Sequence, residues 1–83
     1  MKTDELSNLQ RGERALVLGI NENCEVVVRQ RLLDLGFVKG AQVVLENISP
    51  MGNPISYTIH GTQIALRLAD AQLITIQKVE DDA

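Results

Sequence analysis

An 83-residue chain is one small domain with no room for a second, and at this length it buries only about 60–65% of its unfolded surface, so its stability is modest unless a partner contributes. The net charge of −3 sits in Glu80, Asp81 and Asp82; without them eight acids face eight lysines plus arginines, which leaves no basic stripe for a nucleic acid backbone or an anionic membrane. Cys24 is the single cysteine, which excludes an intramolecular disulfide scaffold, and Phe37 and Tyr57 are the only aromatic residues, so the core is expected to be aliphatic.

Met1 to Glu5 shows no leader pattern, and no apolar run approaches the length of a membrane span. The expected setting is the cytoplasm. In chain order, Leu6-Ser7-Asn8-Leu9 places two leucines three apart, enough for a single helical turn across the end of a core. Gln10 to Arg14 is a polar turn around Gly12. Ala15 to Ile20 is a short apolar run with β-branched content and reads as the first strand.

Glu25 to Gly40, EVVVRQRLLDLGFVKG, is the one segment with helical character. Val28, Leu32 and Leu35 fall on one stripe at the spacing of a core-facing helix. Asn23 is placed to cap its start, with Glu25 in the first turn favourable to the helix dipole. Gly36 follows the last periodic residue and can take a positive φ, and Phe37 is expected to fold back onto Leu32. Lys39-Gly40 then turns the chain into a second strand, Ala41 to Ile48.

Two prolines and a glycine in Ser49 to Pro54 mark a loop. Ile55 to His60 alternates cleanly, with Ile55, Tyr57 and Ile59 on one face. His60-Gly61-Thr62 is a tight hairpin turn, after which Ile64, Leu66 and Leu68 continue the alternation. Ala69 to Gln72 reads as one helical turn and Leu73 to Val79 as the last strand. Five short strands, with one helix between the first two, predict a mainly β fold, a small and partly open β-barrel. Gly36, Phe37, Gly40 and Gly61 are its structural positions.

Three blocks of this sequence resemble the FeoA family. They are Arg31-Leu32-Leu33-Asp34-Leu35-Gly36-Phe37 with Lys39-Gly40, then Pro50-Met51-Gly52-Asn53-Pro54-Ile55, then Gly61 to Arg67 with Asp70-Ala71. Their order and spacing cover nearly the whole chain. The resemblance implies an SH3-like β-barrel over residues 1–79, followed by an acidic tail, 80–83, expected to fray. It also implies a cytoplasmic accessory protein of bacterial ferrous iron uptake. The implied partner is FeoB, a membrane permease with a cytosolic GTP-binding domain, met at that domain or elsewhere on the cytosolic face. The same fold occurs as the C-terminal domain of DtxR-type metal-dependent repressors, so a stand-alone regulatory domain is the alternative, and an iron carrier is a third reading.

The residues themselves offer little chemistry. Cys24 and His60 are the only soft or imidazole ligands and lack paired spacing, whereas a transition-metal site draws on three or four converging donors. No nucleophile stands beside a base and no glycine-rich phosphate loop precedes a helix, so no catalytic residue and no cofactor is expected. A groove for polyproline peptides needs exposed aromatics, and Tyr57 is expected inward with Phe37 committed to the helix end.

What remains is a binding module without nucleic acid contact or membrane insertion. Val26 and Leu33, seven apart and rimmed by Arg29, lie roughly opposite the core stripe, either exposed to a partner or covered by the barrel. Pro50, Met51, Gly52 and Pro54 form a stiffened loop that loses less entropy on docking. Arg67 alternates outward, either as an interface anchor or paired with Asp70. Weak self-association is left open by the sequence.

Overall fold

The computed structural model describes residues 3–79, so the expected fraying of Glu80 to Ala83 lies outside the described residues. The elements are β1 (Thr3–Glu5), a 3-10 turn (Leu6–Asn8), β2 (Arg14–Ile20), α1 (Val26–Asp34), β3 (Gln42–Ile48), β4 (Ile55–Ile59), β5 (Thr62–Leu66), α2 (Leu68–Ala71) and β6 (Ile74–Val79). They form a six-stranded antiparallel sheet in the order β1-β6-β2-β3-β4-β5. The sheet curls around its core in the SH3-like manner but leaves β1 and β5 as free edges. The sixth strand is β1, one more than expected. Its residues are polar throughout and carry no apolar alternation; backbone pairing to β6, from Thr3↔Gln77 to Glu5↔Thr75, makes it a strand.

Two bulges bend the sheet. In β2, Ala15 and Val17 face inward; the register then shifts before Gly19, and Ile20 becomes the next buried side chain. A second shift lies between Leu45 and Asn47 of β3. An extra residue in one strand sharpens its local twist, which a small curled sheet requires. The alternation of β4 holds throughout, with Ile55, Tyr57 and Ile59 all buried. His60 and Gly61 both take positive φ, at 52° and 75°, forming the two-residue turn whose twist matches a hairpin.

Tyr57 and Phe37 are fully buried among aliphatic neighbours. The Tyr57 hydroxyl donates to the Leu6 carbonyl at 3.5 Å, and desolvation pushes its pKa up to about 12. That contact seats the 3-10 turn across the end of the core, where Leu6 and Leu9 are buried.

The helix departs from its sequence reading at three points. Glu25, with extended backbone, is the N-cap, and no side chain caps the helix. Asn23 does not cap it: its own amide donates to Asn21 Oδ1 at 2.9 Å, in a local turn that precedes the helix. Leu32 is fully buried and Val28 packs partly against the core, but Leu35 is exposed and Leu33 packs against the core instead. The helix is rotated so that its buried arc runs toward Leu33, while Leu35, at the C-cap, stays exposed. Leu33 shares its side of the helix with Val26 but packs against the core, whereas Val26, in the first turn, stays exposed.

The helix end is as expected. Gly36 has φ 110°; its amide donates to Leu33 O at 3.0 Å, and the Phe37 amide to Leu32 O at 3.1 Å. These are the paired bonds of a Schellman end, with Phe37 and Leu32 both buried beside it. Gly40, at φ 91°, turns the chain so that its amide reaches Val17 O at 2.8 Å. Leu68, expected to continue the inward alternation of β5, instead opens α2 and is exposed.

Candidate functional site

No three of the described His, Cys, Asp and Glu residues converge as a metal-binding group. Cys24 is half-buried before α1, its thiol directed to Glu25 O at 3.3 Å. The His60 ring lies at the other end of that helix, against Gly36. The full helix, roughly 13 Å at 1.5 Å per residue, stands between the two. No described helix is long and apolar enough to cross a membrane.

The most conspicuous surface is the outer side of α1. Val26 and Val27 are 80% and 78% exposed, and Leu35, two turns on from Val27, is 37% exposed. With Gln30, Arg31 and Asp34 they line a shallow depression of about 510 Å³. Its polar members are held: Gln30 Nε2 donates to Asp34 Oδ1 at 2.9 Å, and Arg31 Nη2 to Asp70 Oδ2 at 2.9 Å. Arg31 is charge-paired and Asp34 is hydrogen-bonded by a neutral amide, while the apolar groups have no cover, the composition of an interface centre framed by polar groups. Arg29, expected on this rim, is exposed on another side of the helix.

Asp70 pairs with Arg31 and not with Arg67, because the helical turn of α2 aims it back at α1. Arg67 is the exposed N-cap of α2. The next amide, Leu68 N–H, donates to Asn53 Oδ1 at 3.0 Å and so ties α2 to the Pro50 to Pro54 loop. Ser49 is the hub of that loop: its Oγ donates to Asn53 O at 3.1 Å and accepts from Met51 N–H at 3.3 Å, while its carbonyl accepts from Gly52 N–H at 2.7 Å. The Asn53-Pro54 peptide is cis. Pro50, Gly52 and Pro54 are exposed, and Met51 projects 89% exposed at the tip.

The structure thus links Arg67 to the proline loop through α2, and α2 to α1 through Arg31. It sets Val26 beside Val27 and Leu35, and removes Leu33. Val27 and Leu35 were missed by sequence reasoning. The available signal was the run Val26-Val27-Val28, three successive apolar residues that span about 200° of the helix and so cannot all face one core.

The family model for the FeoA domain matches residues 5–78. The chain is 30% identical over 78 residues to an Fe(2+) transport protein A/Fe(2+) transporter FeoB fusion protein of Porphyromonas gingivalis, matching 94% of this chain and 9% of that protein. Among solved structures, a FeoA-like protein of Clostridium acetobutylicum superposes with a TM-score of 0.88 at 28% identity, over 100% of this chain and 94% of that one. The FeoA of Stenotrophomonas maltophilia, described as a procaryotic SH3 domain protein and solved with zinc, gives 0.79 at 29% identity over 89% of each chain. A manganese-dependent transcriptional repressor matches at 0.85 with 16% identity over 38% of its length, a likeness of fold alone. With the domain model spanning almost every described residue and the SH3-like sheet shared with these relatives, the chain belongs to the FeoA family.

Proposed function

We propose that the chain is an accessory protein of ferrous iron uptake that works by docking on a FeoB-type transporter at its cytosolic face, with the Val26-Val27-Leu35 side of α1 at the contact. The observation that carries the reading is the Porphyromonas relative, in which Fe(2+) transport protein A and FeoB are one polypeptide. A covalent link holds two modules at high mutual concentration, which serves partners that already meet when separate. The surface of α1 supports the same reading, since exposed valines, framed by an Arg31-Asp70 pair and a hydrogen-bonded Asp34, form an apolar centre with a polar rim.

The role is that of an adaptor, with the iron handled by the transporter. Anaerobic calorimetric titration with ferrous iron is expected to show no stoichiometric binding to the isolated chain. The decisive experiment is capture of the FeoB cytosolic region on immobilised chain, wild type against Val26→Glu/Val27→Glu. Retention by wild type and its loss in a folded double variant support the reading; equal retention removes α1 from the contact, and no retention by wild type removes the partner.

A further inference from the structure

The two free edges of the sheet differ in how they are protected. β1 is three residues long, two of them carboxylates, and Asp4 Oδ1 takes up the Glu5 amide at 2.8 Å. A short, charged, self-capped strand is a poor template for another chain. β5 has none of these features. Thr62-Gln63-Ile64-Ala65-Leu66 carries no charge and no proline, and its pairing with β4 has no bulge.

The hairpin turn determines which of its backbone groups are free. In a two-residue turn the flanking pair, Ile59↔Thr62, is hydrogen-bonded, and alternation makes Tyr57↔Ile64 and Ile55↔Leu66 bonded as well. Gln63 and Ala65 therefore direct N–H and C=O away from β4. Both residues are exposed, and no described group bonds to those edge atoms.

We propose that β5 pairs edge to edge with β5 of a second copy, antiparallel about a twofold axis at Ile64. Gln63 then lies opposite Ala65 of the second copy, and each outward N–H meets an outward C=O. Ile64, half-buried at the rim of the core, meets its own copy and is covered. A twofold axis places like beside like, so charged strands repel their copies and an uncharged one does not. The free groups are also symmetric about Ile64, which makes the edge complementary to itself. One short strand buries far less than a standard interface, so the dimer is weak, with Kd on the order of 0.1–1 mM. The inference is independent of the docking surface on α1.

Sedimentation velocity on the full chain, from about 0.01 to about 1 mM, tests it. The expected result is a concentration-dependent shift from monomer to dimer, with slowed exchange of the Gln63 and Ala65 amides at the upper end. Ala65→Pro removes an outward amide without touching the β4 ladder, and the twofold counts that loss twice, so association should weaken by about tenfold or more. Charge exchange supplies a second test that changes only exposed side chains. Gln63→Glu/Ala65→Glu and Gln63→Lys/Ala65→Lys should each be monomeric alone and pair when mixed. A wild type that stays monomeric throughout, an Ala65→Pro chain that dimerises like wild type, or a mixture that fails to pair overturns the proposal.

Discussion

Gly36 is held by two separate constraints. Its φ of 110° lies where a side chain is strained, and a Cβ there would stand 3.1 Å from Cδ2 of His60. Gly36→Val should therefore lower stability by about 1–3 kcal/mol, read as a reduced denaturation midpoint. The two constraints can be separated. Gly36→Ala should cost less in a His60→Ala background, because the ring is gone while the backbone strain remains; equal costs in both backgrounds would mean that the contact has no energetic weight. Tyr57 gives a second prediction at this scale. Its folded pKa, about 12, stands above the ordinary value of 10.0, so the folded state holds the phenol proton more tightly than the unfolded chain. The resulting stability is complete below pH 10 and is lost as pH rises through the folded pKa. Urea midpoints should fall between about pH 10 and 12, and Tyr57→Phe should flatten that decline.

Helix α1 shows how far an element can be read from its residues. Its stop was legible because Gly36 and Phe37 encode it locally: one supplies the positive φ and the other the apolar contact. Its rotation was not. Val28, Leu32 and Leu33 turn inward because the barrel lies under that arc, and the position of the barrel depends on strands distant in sequence. The same distinction explains the strands. The alternation of β4 was plain, since both its neighbours leave one face buried, whereas β1 is a strand only because the edge of β6 was free to pair. Substitutions on α1 should separate the faces. Leu33→Glu puts a charge against the core and should lower the denaturation midpoint sharply. Val26→Glu/Val27→Glu should leave the midpoint nearly unchanged while reducing ferrous iron uptake in cells that depend on the chain. Similar loss of stability in both variants would mean that the outer turn is also core.

For the whole molecule, the sequence disclosed the architecture more fully than the contact surface. Fold class follows from the period and punctuation of many residues together. The candidate surface depends on a few side chains whose exposure is decided by packing, so Val26 and the proline loop were among the candidates the sequence offered while Val27 and Leu35 were not. One feature of the sheet extends beyond this chain. β1 runs antiparallel beside β6, with Thr3 opposite Gln77, so the two ends of the folded unit emerge next to each other at one border. Such a unit behaves as a cassette: it can be spliced into the loop of a larger protein, or its ends can be sealed and the ring reopened elsewhere, with the barrel unaware of the change. A circular permutant with a short glycine linker across the border and new ends cut between Met51 and Gly52 should fold, with the far-ultraviolet dichroism of the parent. Failure to fold would show that the border strands must be closed early, by the chain's original order, for the rest of the sheet to form.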